Sequence, residues 1–392
     1  MKTRVTGEAT KAVADSFDVI VIGIGAMGSS ACYQLARRGV RVLGLEQFDI
    51  PHALGSSHGQ SRMIRMAYFE HPDYVPLLQR AYALWDELEQ VSGQKLLYRT
   101  GGLYMGPRDG EIVGGSLASA RRHNLPFESL GSDELRRRFP QFHLPDTWVG
   151  VLEPHAGFLL PERVVAAHAE AALRAGAQLH GREMVLDWRA DPRGATVRTT
   201  RNEYHAGQLI FCGGPWSGKL LRDIGVDLVV TRQVLAWVWP KQPDLFTLDR
   251  LPVWAIDHLD GTLHYGFPMM NEVPGFKIAH HGRGAVTDPD RVERDPQPGD
   301  EKTFRPILSQ ILPAADGPLL SMKVCLYTNS PDGHFMIDRH PHHERVTVAC
   351  GFSGHGFKFA SVVGEILADL AMNGRTPLPA AFLGLSRFAS KK

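Results

Sequence analysis

No apolar run in the chain approaches the ~20 residues that a membrane-crossing helix needs, so no membrane partner is expected. Charge of one sign is also lacking. Forty-three Lys and Arg against 42 Asp and Glu leave a formal net charge of +1, which offers no electrostatic footing for nucleic acid or an anionic surface. Cysteine is scarce. Cys32, Cys212, Cys325 and Cys350 lie far apart with no metal-ligand spacing; they suit a reducing compartment better than a disulfide framework, and no metal is expected. Cys32 and Cys350, inside apolar segments, read as small buried hydrophobes. The first 16 residues lack the apolar core of a secretory signal and read as a loose tail. The ending ASKK lacks a peroxisomal tripeptide, so the expected location is the cytoplasm. What remains is ordinary in composition and, at 392 residues, long enough for two domains.

The most informative stretch is FDVIVIGIGAMGSSACYQLARRGVRVLGLEQ, residues 17–47. Val19–Ile22 is a short β-branched run, read as a buried parallel strand. Gly23, Gly25 and Gly28 follow at G-x-G-x-x-G spacing. They serve a tight turn, close approach of backbone N–H groups to a pyrophosphate, and close helix–strand packing. Met27, Ala31 and Leu35 repeat at helical spacing to Gly39, and Val40–Leu45 is a second strand. Glu46 ends it, placed to accept hydrogen bonds from a ribose. Glycines alone are a weak signal. Strand, glycines, helix, strand and acid in that order point to an ADP-containing dinucleotide.

Further along, GSSHGQSRMIRMAY (55–68) opens as a loop and can turn helical near Ser61, which would set Arg62 and Arg65 on one face. Residues 72–91 place Tyr74, Leu77, Leu78, Ala81, Leu84, Trp85 and Leu88 on one helical stripe. Ser132 and Asp133 read as a helix N-cap, with Arg136–Arg138 a solvated face. A helix at 162–176 and strands at 183–188, 195–200 and 207–212 follow. The last runs into Gly213, Gly214 and Trp216, which suggests backbone close to a ligand. Residues 229–284 are β-rich, with a hairpin turn at Asp260–Gly261. In FKIAHH, alternation puts Lys277, Ala279 and His281 on one face, and a strand lysine facing inward needs a role or a partner. A final strand (Arg345–Ala349), glycine loop (351–358) and apolar helix (Phe359–Met372) make a second ligand-binding unit near the C-terminus. Two such units suit a ligand longer than a mononucleotide. A flavin dinucleotide fits both; NAD fits the first and leaves the C-terminal loop without a role.

GIGAMGSS, PHALGSSHGQSRMIRMAY, YGFP (265–268), FKIAHH, KVCLYTNSPDGHFMID (323–338) and GFSGHGFKFASVVGEI (351–366) resemble the monomeric sarcosine oxidase and N-methyl-tryptophan oxidase family of flavoproteins, over residues 17–386. RQVLAW (232–237) and LSRF (385–388) look closer to the N-methyl-tryptophan branch. The resemblance implies an α/β fold of glutathione-reductase type, with a Rossmann-like FAD-binding domain (17–97, 150–228 and 322–392) and a β-sheet-rich substrate domain (98–149 and 229–321). It implies FAD held covalently through a thioether to Cys325, which spacing alone would leave as a structural cysteine.

The cofactor contacts expected from these readings are Gly23, Gly25, Ala26, Met27, Gly28, Glu46, Gln47, Ser57, His58, Arg62, Gly213, Trp216, Cys325, Phe352, Gly354, His355, Gly356, Phe357 and Lys358. By the same resemblance Arg65 and Lys358 pair with a substrate carboxylate, Tyr265 and Tyr327 line the pocket, and His281 lies at the flavin face. Lys277 would activate oxygen, because a fixed cation in a dry site stabilises superoxide as it forms. The expected reaction is oxidative demethylation of an N-methyl amino acid by O2, giving formaldehyde and hydrogen peroxide, carried out by a monomer without nucleic-acid partners. The alternatives are oxidation of glycine, a cyclic imino acid or another secondary amino acid, and, from a different class, an NAD-dependent dehydrogenase. Trp237, Trp239 and Trp254 read either as pocket walls for a large side chain or as core.

Overall fold

The computed structural model describes residues 16–282 and 284–389; the expected tail before residue 16 and the last three residues lie outside the described residues. Ser16, assigned to that tail, is instead the first residue of a strand, Ser16–Ile22, where it pairs with His205.

Five parallel strands form the heart of an eight-stranded sheet: Gln178–His180, Val42–Leu45, Ser16–Ile22, Glu203–Phe211 and Val346–Cys350, side by side in that order. The sequence reading extends the second strand to Val40, but pairing begins at Val42, because Gly39 (φ +80°) and Val40 are still closing the preceding helix. Helices Ala26–Ala36, Val75–Ser92, Pro161–Arg174 and Ala360–Asn373 belong to the core built on this sheet. The expected stripe at 72–91 is realised as a 3-10 turn and the helix Val75–Ser92, with Leu77, Leu78, Ala81, Leu84, Trp85 and Leu88 all buried. Each such leucine contributes about 1.5–3 kcal/mol by leaving water. All four cysteines are buried and unpaired, and burial pushes the Cys350 thiol up to about 12.

A nine-stranded sheet stands beside this one, built around Val229–Val238, Val253–Asp257, Leu263–Phe267, Phe276–His281 and Gly102–Pro107. The Asp260–Gly261 hairpin is present, with Gly261 at φ +75°. Strand Leu319–Asn329 pairs with Val229–Val238 in this sheet, so Cys325 and Tyr327 ride on it.

Two further local expectations fail. Residues around 61–65 are not helical: Arg62–Ile64 is a strand paired to Gly157–Leu159 in a small three-stranded sheet. Left-handed Gly59 and Gln60 (φ +97° and +69°) break any helical start. In extended chain, residues three apart point to opposite sides, so Arg62 and Arg65 part company. Ser132 is not an N-cap; Gly131 occupies that position, without a side-chain hydrogen bond, and Ser132 opens the helix Ser132–Arg138. The arginines there are surface groups paired with Asp133, Asp146, Glu128 and Glu134.

Helix Glu111–Arg122 backs the segment Tyr68–Glu70. Ser119 Oγ donates to Tyr68 O (2.5 Å), and a Cβ on Gly115 would lie 2.6 Å from Phe69 O. Its neighbour Gly114 faces open space. Gly114→Ala is therefore expected to raise stability by about 0.5–1 kcal/mol, whereas Gly115→Ala lowers it by about 1–3 kcal/mol. Melting temperatures of the two variants check this, and equal values would contradict the packing described.

Candidate active site and dinucleotide cleft

A long cleft crosses the C-terminal ends of the parallel strands. Glu46, Gln47, Gly23, Gly25, Ala26, Met27 and Ser57 line one part of it; Gly213, Trp216, Arg62, Cys325, Tyr327, Phe352, Gly354, Gly356 and Phe357 line the rest. Glu46 is held rigidly: its carboxylate accepts from the backbone N–H of Ile24 (2.9 Å) and Phe48 (3.1 Å). Ser57 Oγ accepts from Ala26 N–H (3.2 Å). Gly23 is left-handed, and a Cβ on Gly28 would lie 1.8 Å from Gly23 O, so turn and helix close only with glycine at both places. Gly28 thus packs behind the cleft rather than lining it. At the far end, a side chain at Gly354 (φ +80°) would strike the Tyr327 ring. Backbone open at both ends and a fixed acid near the first match an extended dinucleotide such as FAD.

His58 is buried behind the cleft with neither ring nitrogen hydrogen-bonded, and desolvation with Arg62 and Lys277 nearby pushes it down to about 3. Arg62 reaches Cys325, with Nη2 3.3 Å from Sγ. Lys277 is 3% exposed, and its Nζ donates to Gly59 O (2.6 Å), Ser61 O (2.7 Å) and Ser61 Oγ (3.1 Å). Burial, then Arg62, hold its ionisation well below the ordinary lysine range. The Trp237 and Phe267 rings lie beside it, at 5.4 and 4.7 Å. Of the other tryptophans, Trp254 is core against Phe142 and Phe276, and Trp239 is 43% exposed.

A second group forms around Tyr68. Arg65 Cζ lies 4.2 Å from the Tyr68 ring centre, and Lys358 Nζ lies 5.2 Å from it. Lys358 donates to His355 O (2.7 Å), and burial next to Arg65 drops its ionisation to about 7. His355 Nε2 donates to Gly333 O (2.9 Å), so its Nδ1 accepts from Tyr68 Oη (2.5 Å); burial keeps the ring neutral, pushed down to about 3. His281 Nδ1 and Tyr327 Oη are 3.1 Å apart, and Tyr327 in turn hydrogen-bonds Tyr265. Burial pushes His281 down to about 4.

Sequence reasoning missed three members. Tyr68 closes the segment GSSHGQSRMIRMAY but carries no pattern of its own. Both Glu70 carboxylate oxygens accept from Arg65 Nη2, at 2.6 and 2.5 Å. Burial would raise its carboxyl, but Arg65, His355 and Lys358 outweigh this and hold it down to about 2. Glu162 accepts from the backbone N–H groups of Gly59 and Gln60. Its partners are about a hundred residues away, so no local signal marks it. Elsewhere, His340 and His343 Nε2 both approach the Asp223 carboxylate (3.2 and 3.1 Å); the His342 N–H donates to His340 Nδ1, which leaves that ring's proton on Nε2.

Residues 18–370 match the family described as FAD dependent oxidoreductase. A monomeric sarcosine oxidase from Streptomyces avermitilis is 43% identical over 96% of this chain and 98% of its own. An N-methyl-L-tryptophan oxidase from Salmonella newport is 36% identical over 92% of this chain and 96% of its own. Among solved structures, NikD, described as an unusual amino acid oxidase essential for nikkomycin biosynthesis, superposes with a TM-score of 0.82 at 26% identity, covering 94% and 97% of the two chains. L-proline dehydrogenase from P. horikoshii shares the fold, with a TM-score of 0.83 at 21% identity, covering 96% and 99%.

The Arg65–Glu70 pair sets a testable condition on anion binding. An incoming carboxylate competes with Glu70 for the same fork. Glu70→Gln is expected to tighten binding of small carboxylates several-fold at pH 7. Titrating acetate or propionate against the change in the protein's visible spectrum measures it; unchanged or weaker binding would show that Arg65 does not receive the anion.

Proposed function

The chain belongs to the FAD dependent oxidoreductase family, and on that premise we propose that it oxidises N-methyl amino acids of the sarcosine or N-methyl-L-tryptophan type. One observation carries the reading. Two buried cations, Arg65 and Lys358, flank a single ring beside the end of a dinucleotide cleft where Cys325 and Tyr327 lie. Such a pair, with one planar fork and one point charge, suits an amino acid carboxylate. The net reaction takes the secondary amine, O2 and water to the primary amine, formaldehyde and hydrogen peroxide.

FAD, when bound, supplies the two-electron acceptor that takes a hydride equivalent from the N-methyl carbon and hands electrons on to O2. The residues that would hold it are those of the cleft, from Glu46 through Gly23–Met27 to Phe352–Phe357. Arg65 and Lys358 hold the substrate carboxylate, and their charge disfavours a protonated amine nearby, keeping the donor as the free base. Tyr265, Tyr327 and His281 wall the pocket, and His281, neutral at physiological pH, adds no charge. Lys277 puts a cation where oxygen gains electrons. Cys325 is the attachment point for the flavin, with the Arg62 guanidinium 3.3 Å from its sulfur.

A division into a cofactor domain (17–97, 150–228, 322–392) and a substrate domain (98–149, 229–321) follows the two large sheets except at two boundaries, where strands Trp148–Glu153 and Leu319–Asn329 pair on the substrate side. We further take the enzyme to work as a cytoplasmic monomer; the Streptomyces relative carries "monomeric" in its name.

Acid precipitation of the purified protein tests the attachment: yellow colour is expected in the pellet, and in Cys325→Ser it moves to the supernatant. Sarcosine, N-methyl-L-tryptophan, glycine and L-proline should then be screened for peroxide and formaldehyde together. Peroxide without formaldehyde would move the assignment to another amino acid. Because Lys358 is charged below about 7 and neutral above, inhibition by propionate, which has no amine to titrate, should weaken as pH rises through 7. That dependence should vanish in Lys358→Met.

A further inference from the structure

We propose that Glu162 is a positioning residue for Lys277, holding the Gly59–Ser61 turn in the one shape that aims two backbone carbonyls at the lysine Nζ. The proposal rests on the role of Lys277 as the cation for oxygen and adds to it a residue outside both the cleft and the Tyr68 group.

Lys277 Nζ has three partners, Gly59 O, Ser61 O and Ser61 Oγ, at 2.6, 2.7 and 3.1 Å. Carbonyls only accept, so two of them within hydrogen-bond reach fix where the nitrogen sits and which way its N–H bonds point. The hydroxyl adapts: it accepts from the ammonium and donates to the free amine. Both carbonyls converge because the turn between them is unusual. Gly59 and Gln60 are successive left-handed residues, φ +97° and +69°, and for a residue with a Cβ that conformation costs about 1 kcal/mol or more.

Glu162 holds the turn against that cost. It stands in the first turn of helix Pro161–Arg174 but does not cap its own helix. Its Oε1 accepts from Gly59 N–H (2.6 Å) and Gln60 N–H (3.2 Å), and its Oε2 accepts from Gln60 N–H (3.1 Å). Successive N–H groups of such a turn form a concave anion site, and here the anion is built into the chain. Without the carboxylate these N–H groups lose their partner, the left-handed pair relaxes, and the carbonyls swing off Lys277.

Charge acts in the same direction. Arg62, His58, Lys323 and Cys325 also face Lys277, and Glu162 is the carboxylate among these groups. It favours the ammonium form against Arg62 and Lys323.

The test separates turn from charge. Glu162→Gln keeps acceptor oxygen but loses charge; Glu162→Ala loses both. In holoenzyme labelled with 13C at lysine Cε, the Lys277 signal is identified by its loss in Lys277→Met, and its titration midpoint is followed. In Glu162→Gln the midpoint is expected to fall by about one pH unit or more. In Glu162→Ala the signal should broaden or split as the turn loosens. Stopped-flow measurement should place the functional loss, about tenfold or more, in the oxygen-dependent step, with substrate-dependent reduction unchanged. An unshifted midpoint in Glu162→Gln overturns the part given to charge, and a sharp wild-type signal with a wild-type oxygen step in Glu162→Ala overturns the part given to the turn; should Glu162→Ala not fold, Glu162→Leu is read in its place. If Lys277→Met itself leaves the oxygen step unchanged, the role given to Lys277 fails, while the resonance still decides what Glu162 does to that lysine.

Discussion

Burying basic groups is costly, and this fold buries four close to one cleft: Arg62 and Arg65, which stay charged, and Lys277 and Lys358, whose ionisation burial pulls below the ordinary lysine range. An unpaired charge in a dry interior loses its hydration with nothing in return, so each needs carbonyls, a carboxylate or an aromatic face arranged beforehand. Much of the local architecture meets that demand. The left-handed turn at Gly59–Gln60, the Tyr68 and Phe69 rings around Arg65, the carbonyl of His355 beneath Lys358 and the carboxylates Glu70 and Glu162 all serve one of the four. Helix Glu111–Arg122, remote from the cleft, contributes by fixing the backbone of Tyr68 and Phe69.

The topology explains how residues so distant in sequence converge. The parallel strands deliver two glycine loops, after Ile22 and after Cys350, to the same edge of one sheet. The other sheet brings Lys277 and His281 on one strand and Tyr265 on its neighbour. Strand Leu319–Asn329 then carries Cys325 and Tyr327 to the cleft while paired along Val229–Val238. Chemistry therefore sits at the seam between the sheets, where the backbone is anchored from both sides. Rigid placement of this kind is what an electrostatic site requires, since dipoles that need not reorganise stabilise charge best.

Legibility followed the range of the interactions. The dinucleotide unit was readable because every part of it is local: apolar runs set strand and helix, and glycines sit where a Cβ would collide, as at Gly28. The inward lysine on FKIAHH was readable because alternation is a period-two property of the chain. Cys325 was not readable from pattern, since a buried strand cysteine looks the same whatever lies next to it; only the family resemblance singled it out. Arg62 and Arg65 are misplaced by a helical reading from Ser61 onward, because Arg62–Ile64 is drawn into a strand against Gly157–Leu159, a partner about a hundred residues away. Glu70 and Glu162 escaped for the same reason: a lone glutamate acquires meaning only from the groups that folding brings to it.

Those two glutamates show how one charge type can serve opposite ends. Glu70 lies directly on the Arg65 guanidinium, both oxygens within 2.6 Å of Nη2. It keeps the cation compensated until another carboxylate displaces it, so Arg65 is a site that an anion can win. Glu162 touches no side-chain cation in the same direct manner. It binds peptide N–H groups, and the peptide carbonyls of the same turn bind Lys277, so the influence passes through backbone that a small anion cannot displace. An anion that displaced Glu70 would therefore leave the partners of Lys277 in place. On the proposed function, an enzyme that attracts an anion at one point and keeps a cation for oxygen at another needs this separation. A direct ion pair supplies the first, and a carboxylate acting through a strained turn supplies the second.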